Sequence, residues 1–154
     1  MNNYKKMLAE NGMVAFVPKG ESMWPTLKSN KQTVILISKT ERLKKYDVGL
    51  FIRKNGQYVL HRVIEVLKDG YVFIGDGQDF TEEIKEENVI AVMEGFYCGK
   101  KYVSANSSKY LKNVEKYFSN EGKRLKKIKK HLKALAIKNK LLSFFGKKQK
   151  RDIE

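Results

Sequence analysis

The stretch VGLFIRKNGQYVLHRVIEVLKDGYVFIG (residues 48–75) decides the fold class. It contains three apolar runs rich in β-branched and aromatic residues, separated by the dipeptides Asn55-Gly56 and Asp69-Gly70. Both dipeptides favour tight hairpin turns because Asn, Asp and Gly accept positive φ. The stretch therefore predicts three consecutive antiparallel strands, at residues 48–53, 57–67 and 71–75.

Apolar segments on either side of this stretch predict more strands, at residues 13–17, 33–38 and 88–97. A short helix is predicted over residues 3–10, where Asn11-Gly12 ends it. Five or six short strands joined by tight turns are typical of an antiparallel unit, so the predicted fold class is mainly β.

Charge is distributed very unevenly along the chain. Residues 1–99 contain 14 Lys and Arg against 13 Asp and Glu, whereas residues 100–154 contain 18 against 4. Such a break indicates a boundary near Gly99-Lys100. We therefore predict a β domain over residues 1–99 and a basic helical tail over residues 100–154.

The tail is predicted to form two helices, the first ending at Gly122. Apolar residues of the second recur at helical spacing and form one stripe: Leu125, Ile128, Leu132, Leu135, Leu142 and Phe145. A basic amphipathic helix of this kind, with Leu141-Leu142 and Phe144-Phe145 near its end, suits an anionic membrane surface. Packing on the β domain or on a partner helix is the second reading. Nucleic-acid binding is the least favoured, because no arginine-rich reading motif occurs.

Location is predicted from what the sequence lacks. Cys98 is the only cysteine, which excludes an intramolecular disulfide, fits a reducing compartment and is expected to be a small buried apolar group. The N-terminus has no apolar segment typical of a signal peptide, and no run of about 18 apolar residues predicts a transmembrane helix. We expect a cytoplasmic protein that binds peripherally at the inner face of a membrane.

A candidate nucleophile lies in GESMWPTL, residues 20–27. Gly20 permits a tight turn and Pro25 prevents an early helix, so Ser22 is predicted to lie at a fixed, partly exposed point. A serine hydroxyl at neutral pH needs a base to accept its proton. Taken alone, the same residue is also what an ordinary turn contains.

The candidate base is His61. On the predicted strand it shares a face with Val59 and Val63, which on its own also suits a buried structural histidine. The ordinary pKa of histidine, about 6.5, makes it a usable base near neutrality. His131, the other histidine, lies among tail lysines and is predicted to be solvated.

The candidate supporting acid lies in or after GDGQD, residues 75–79. Asp76 is flanked by glycines, and Asp79 and Glu82 are the alternatives. A carboxylate bonded to the second imidazole nitrogen would fix the tautomer of the base. The segment does not match a calcium-binding loop, and the sequence predicts neither a metal site nor a cofactor.

The order of these motifs resembles the signal peptidase I family, whose wider clan includes LexA-type self-cleaving repressor domains. The resemblance covers roughly residues 18–97 and rests on GESMWPTL, VLHRVIEV and GDGQ, with YDVGLF as weaker support. It implies a small antiparallel β unit and a serine endopeptidase that attacks an extended peptide. Because histidine occupies the position of the base, this chain resembles the histidine branch.

The resemblance also implies a role for each matched position. Ser22 would be the nucleophile, His61 the base and Asp76 the supporting acid. Gly20, Met23 and Trp24 would lie on the substrate and oxyanion side.

This chain departs from the family in three ways. Gly20 stands where many members have a serine that helps to bind the oxyanion, so backbone N–H groups, that of Ser22 first, would have to serve. We also expect a small, unanchored relative, because the sequence shows neither the usual N-terminal membrane anchor nor the large extra β domain of many bacterial members. Two alternatives to an endopeptidase stay open: a non-catalytic peptidase-like binding module, and a LexA-like self-cleaving regulator with a nucleic-acid-binding tail.

Overall fold

A computed structural model describes the backbone of residues 4–151 and the side chains of residues 4–143. By its contacts, the chain divides into two units, one running to Tyr117 and the other beginning at Phe118. The elements up to the boundary are α1 (Tyr4–Asn11), β1 (Met13–Phe16), β2 (Gln32–Ser38), β3 (Val48–Ile52), β4 (Tyr58–Val66), β5 (Gly70–Ile74), β6 (Thr81–Lys85), a 3-10 turn (Glu86–Asn88), β7 (Val89–Cys98), β8 (Lys101–Ser104) and α2 (Ser108–Phe118). The second unit contains α3 (Glu121–Arg151).

The described strands form one eight-stranded sheet in the order β1-β2-β7-β3-β4-β5-β6, with β8 paired to β7. Every pairing is antiparallel. The predicted mainly β class is therefore confirmed. The predicted meander is present as β3, β4 and β5, and β6 continues it to the edge of the sheet.

The turn at Asn55-Gly56 forms the β3–β4 hairpin, as its sequence predicts. Gly56 has a φ of +81°, and its N–H donates a 2.9 Å hydrogen bond to the Arg53 carbonyl oxygen. The register that follows from this turn pairs Gly49 with His61. The turn therefore sets which residues of β4 face the core.

Seven buried residues from β3, β4, β5, β7 and the loop before β3 form a hydrophobic cluster: Leu43, Phe51, Val59, Val63, Tyr71, Phe73 and Val89. Val59 and Val63 come from the same face of β4, so the predicted alternation on this strand is present. The Phe51 and Phe73 rings pack with centroids 4.8 Å apart. Burial of each such side chain contributes about 2 kcal/mol, which anchors the centre of the sheet.

Two strands, β6 and β8, do not appear in the sequence prediction. The β6 sequence TEEIK is polar because only alternate residues, Glu82 and Ile84, are partly buried at this sheet edge. The β8 strand lies beyond the charge break, which falls inside the β7–β8 hairpin. The predicted domain boundary at residues 99 and 100 is therefore corrected to the division after Tyr117, because the charge break marks surface composition rather than packing.

The junction between α2 and α3 also differs from the prediction. The first tail helix ends at Phe118, and Gly122 lies inside α3 rather than after a helix end. Asn120 caps α3, because its side-chain oxygen accepts a 2.9 Å hydrogen bond from the N–H of Lys123. Asparagine is a favourable N-cap residue, because its side-chain oxygen can accept from an N–H of the first helical turn that has no partner within the helix. This cap starts a helix at residue 121, so Gly122 does not end one.

Two further sequence expectations concern burial and membrane insertion. Cys98, expected to be buried, is exposed, since it lies at the end of β7 where the hairpin leaves the sheet. Among the helices that the structure describes, none combines the length and the apolar character needed to cross a membrane.

Candidate active site

The turn that carries Ser22 is fixed by backbone contacts to a second turn of the chain. The N–H of Gly77 donates a 2.8 Å hydrogen bond to the Ser22 carbonyl oxygen. The N–H of Trp24 closes the turn on Glu21, and the Trp24-Pro25 peptide bond is cis. Ser22 is itself partly buried. The nucleophile predicted from sequence is thus held by main-chain bonds.

The glycines of the GDG turn are required by this close approach. A Cβ on Gly77 would lie 2.6 Å from the Glu21 carbonyl oxygen, and one on Gly75 would lie 2.7 Å from that of Ser22. Both distances are shorter than carbon and oxygen tolerate, and both neighbours are backbone atoms. The sequence GDG therefore serves to seat the serine turn, a role that the sequence analysis did not assign.

Gly20 has a backbone conformation that favours glycine. Its φ is +83°, in the left-handed region that disfavours side chains. A Cβ there would meet no atom within 4 Å, so space is not the obstacle. A serine at this position would be strained.

His61 lies on β4, buried in the apolar row that the sequence predicts, with 2% of its surface exposed. The Phe51 ring packs edge-on against the imidazole with centroids 6.0 Å apart. Burial lowers the pKa of His61 below its ordinary value of 6.5, although the negative charge of Glu82 opposes this shift. The imidazole is therefore neutral at pH 7, as a general base must be.

The carboxylate nearest the imidazole belongs to Glu82 of β6. Its Oε1 lies 3.2 Å from Nδ1 of His61. The two atoms do not align as a hydrogen bond, so Nδ1 is buried with its hydrogen-bonding capacity unfilled. Arg53, directly after β3, donates to both oxygens of Glu82, at 2.7 Å and 2.6 Å. These bonds lower the pKa of Glu82 and keep it ionised.

Asp76, predicted as the supporting acid, is instead paired with Arg62. Both side chains are completely buried, and the guanidinium donates to both carboxylate oxygens, at 2.8 Å and 2.7 Å. Burial alone would lower the pKa of Arg62, but Asp76 and Tyr110 outweigh it and raise that pKa. The prediction for Asp76 is therefore corrected. Its carboxylate forms an ion pair with the buried Arg62, which was not among the predicted site residues, and not a hydrogen bond with His61.

Helix α2 completes the surroundings of this buried pair. Arg62 donates a 3.0 Å hydrogen bond to the Tyr110 hydroxyl, and its guanidinium lies over the Tyr110 ring, 5.7 Å from the ring centroid. The Tyr117 hydroxyl donates a 2.8 Å bond to the Asp76 carbonyl oxygen. The Thr26 hydroxyl contacts the Asp76 carboxylate. A segment outside the family resemblance thus helps to hold the GDG turn, and with it the serine turn.

A cavity of about 570 Å³ is lined by both the predicted nucleophile and the predicted base. Ser22, His61, Gly20 and Met23 all line it. Within the part of the chain that the structure describes, no hydrogen bond joins the Ser22 hydroxyl to His61. The two side chains therefore share the cavity without a direct hydrogen bond between them.

The other predicted site residues lie elsewhere. Among described residues, Trp24, Asp76, Asp79 and Glu82 do not line this cavity. Asp79 is exposed at the end of its turn. Aromatic rings form part of the cavity wall instead: Tyr4 of α1 packs edge-on against Tyr58, with centroids 5.0 Å apart.

No candidate metal site is present among the described residues, because no three His, Cys, Asp or Glu side chains lie close enough together to hold an ion.

Two features of the site were not predicted from the sequence, the Arg53–Glu82 pair and the Arg62–Asp76 pair. The sequence contained one signal for the Arg62–Asp76 pair, which is the position of Arg62 next to His61 in HRV. It contained no signal for the Arg53–Glu82 pair, because only the folded sheet brings residues 53 and 82 together.

Comparisons with known proteins add no family assignment. No model of a known protein family matches the chain. A search of curated proteins by sequence also finds no match.

Proposed function

We propose that this protein is a serine endopeptidase of the signal peptidase I-like type, with a β unit of the signal-peptidase and LexA kind. Ser22 would attack a peptide carbonyl, His61 would take its proton and Glu82 would support His61. The observation that carries the proposal is the cavity shared by Ser22 and His61, with a carboxylate 3.2 Å behind the imidazole. These are the three roles of a serine, base and acid arrangement.

The proposed reaction has two steps. The Ser22 Oγ bonds to the peptide carbonyl carbon as His61 accepts the hydroxyl proton, and the protonated imidazole then gives that proton to the leaving amine. Water, deprotonated by His61, next releases the acyl group and restores the serine. The charge that develops on the carbonyl oxygen would be bound by backbone N–H groups of the serine turn, with Ser22's own as the first candidate.

An extended peptide suits the shape of this site. Strand β1 stands at one end of the sheet order, and the chain runs from Phe16 through Val17 and Pro18 along the cavity towards Ser22. A substrate strand laid along this segment would bring its carbonyl to the serine. The cavity wall combines apolar residues with polar ones, which include Lys19, Arg53, Gln57 and Gln78.

The test of the proposed function is a peptide-library digestion read by mass spectrometry, together with intact mass after long incubation. Ser22→Ala and His61→Ala should abolish every cleavage while circular dichroism shows an intact fold. Ser29→Ala is the matched control, because Ser29 lines the same cavity but its hydroxyl donates to the Pro18 carbonyl oxygen. Full cleavage by Ser22→Ala would refute the proposal. No cleavage by the unaltered protein with any peptide would favour a binding module, and cleavage of itself alone a LexA-like regulator.

We also propose that α3 binds an anionic membrane surface. Over residues 121–143 it carries nine Lys and Arg and one acidic residue, Glu121. Leu132, Ile137, Leu141 and Leu142 are each at least half exposed. Ile137 lies five residues after Leu132, and in a helix of about 3.6 residues per turn this spacing places the two side chains on different sides of the helix. The exposed apolar surface is therefore wider than the predicted stripe, which did not include Ile137.

Exposed apolar side chains among lysines favour lipid over nucleic acid, because phosphate contacts require only the charges. The described part of the stripe ends at Leu142, and the side chains of Phe144 and Phe145 lie outside the described residues. Peripheral binding at the inner face of a membrane would bring the peptidase close to membrane-bound substrates.

A further inference from the structure

Arg53 is the only cation that the structure places on the carboxylate behind His61, among the described residues. It is attached to the site by the β3–β4 hairpin. Its N–H donates a 2.9 Å hydrogen bond to the Gln57 carbonyl oxygen, and its own carbonyl accepts the 2.9 Å bond from Gly56. Its side chain also donates to the Gln57 amide oxygen at 2.8 Å. The Arg53 residue is thus held both at its backbone and at its guanidinium.

We propose that Arg53 is the positioning residue of the site. Because it donates hydrogen bonds to both carboxylate oxygens of Glu82, it fixes that carboxylate behind Nδ1 of His61. The proposal rests on the proposed function, because it assigns Arg53 to the same serine, base and acid arrangement. A bidentate pair of this kind restricts both the position and the rotation of the carboxylate. Without it, Glu82 would be a side chain at the edge of the sheet, with a flexible stem and a fifth of its surface exposed.

Arg53 also limits how strongly Glu82 acts on His61. The charges that bear on the imidazole come from three segments: Glu82 on β6, Arg53 in the hairpin and Asp76 in the turn after β5. Asp76 is neutralised by Arg62. Lys19, Tyr4 and Tyr58 line the same cavity. Burial lowers the pKa of His61 most, Glu82 raises it, and Arg53 lowers it again. Burial is thus the main reason that the base is neutral, and Arg53 adds to it while it fixes the acid behind the imidazole.

The effect of losing the charge has a definite sign. In Arg53→Gln, the pKa of Glu82 returns towards its ordinary value of 4.5, so this carboxylate is still ionised near pH 6. His61 then faces a negative charge with no cation beside it, and its pKa rises. Arg53→Lys keeps the charge but loses the fork that holds two oxygens at once. The two variants therefore separate charge from geometry.

The experiment that tests the proposal first uses the full chain with Ser22→Ala and His131→Asn, in which His61 is the only histidine. Its imidazole is titrated by NMR, so the readout does not depend on catalysis. Arg53→Gln should raise the His61 pKa, and Arg53→Lys should leave it near its starting value. Lys54→Gln is the matched control, because it removes the same charge from the adjacent, exposed position and should change nothing.

Activity is measured separately in chains that retain Ser22. Arg53→Gln and Arg53→Lys should each lower kcat by about 10- to 100-fold with little change in KM, because a displaced acid no longer orients the base. Only Arg53→Gln should move the acid limb of the pH profile upwards. An unchanged His61 titration in folded Arg53→Gln, or full kcat in Arg53→Lys, would overturn the role of Arg53. If Arg53→Gln does not fold, Arg53→Lys still decides through kcat. Neither outcome touches the proposed function, which depends on Ser22→Ala.

Discussion

The N–H of Gly77 donates a 2.8 Å hydrogen bond to the carbonyl oxygen of Ser22, so two turns far apart in sequence form one rigid piece at the cavity. The bond links the candidate nucleophile to the turn that holds Asp76. Through Asp76 it is linked to Arg62 and to helix α2. The position of the serine thus depends on residues that never face a substrate.

Gly77→Ala should displace the serine turn. The new Cβ would lie 2.6 Å from the Glu21 carbonyl oxygen, so one turn must move, at an expected loss of about 1–3 kcal/mol of unfolding free energy. Peptidase activity should fall at least tenfold. Chemical denaturation and peptide cleavage measure the two effects. Gly122→Ala is the control, since its nearest neighbour is an Asn120 oxygen at 3.7 Å and a helical alanine is favourable. Wild-type behaviour of Gly77→Ala would contradict the docking role.

Glu82→Gln should disable the base without unfolding the β unit. The amide keeps the size of the side chain but lacks the charge that stabilises a protonated imidazole, so kcat should fall by roughly 10²- to 10⁴-fold. Peptide cleavage rates provide the measurement. Asp79→Asn, an equally conservative change at an exposed acid, should have no effect. The reverse result would return the supporting role to Asp79.

The activity and the stability of the protein should both decline in acid. The folded-state pKa of His61 is depressed below 6.5, so the unfolded chain takes up a proton first as the pH falls. The stabilisation is therefore complete above about pH 6.5 and is lost as the pH drops through the folded-state value. Glu82, also depressed, adds a second loss below its ordinary 4.5.

Denaturation midpoints between pH 4 and 8 check this expectation. His61→Asn should flatten the upper part of the curve, whereas His131→Asn should not. In cleavage assays the acid limb of kcat/KM should lie below about pH 6.5. A limb above that value would mean that His61 is not buried as the structure has it.

Tyr110→Phe should destabilise the first unit. It removes the hydroxyl that accepts a 3.0 Å hydrogen bond from the buried Arg62, whose Nη2 keeps Thr26 and Asp76 as acceptors, so one charge-assisted hydrogen bond is lost. The expected loss of unfolding free energy is about 1–3 kcal/mol. Tyr97→Phe, at a tyrosine that is 42% exposed, should cost far less. Urea denaturation of the two variants gives the comparison, and equal losses would argue against a network that includes α2.

Sedimentation with lipid vesicles tests the proposed membrane surface of α3. Replacing Lys138 and Lys140 by Glu should weaken binding to vesicles containing phosphatidylglycerol by at least tenfold, at about 1 kcal/mol for each basic residue. The same exchange at Lys5 and Lys6 of α1 is the matched control for net charge. Replacing Leu141 and Leu142 by Ser should also weaken binding. Tight binding of RNA or DNA with no vesicle binding would support the nucleic-acid reading instead.

The sheet could be predicted where local chemistry dictates local structure. Asn55-Gly56 sets a hairpin through its backbone preference alone, and the alternation around His61 shows which face of β4 carries the apolar row, although Arg62 on the other face is buried as well. Strand β6 could not be found this way, because an edge strand with charged residues exposes most of its side chains. The tertiary pairing with β5, not its composition, makes it a strand.

The candidate site, like the sheet, could be predicted only in part from the sequence. Ser22 and His61 could be chosen from sequence because their motifs are short and ordered. The choice among Asp76, Asp79 and Glu82 could not be made, because it depends on which cation each acid meets. Arg62 pairs with Asp76 and Arg53 pairs with Glu82, and each pair joins residues that are far apart in sequence.

Tyr110 and Tyr117, which close over the Arg62–Asp76 pair, follow every described strand in the chain. During synthesis, Arg62 and Asp76 therefore emerge from the ribosome long before the helix that covers them. Until that helix arrives, a growing chain lacks the support that seats its serine turn. If Ser22 acts as proposed, its turn would gain this support only after the whole first unit has been synthesised.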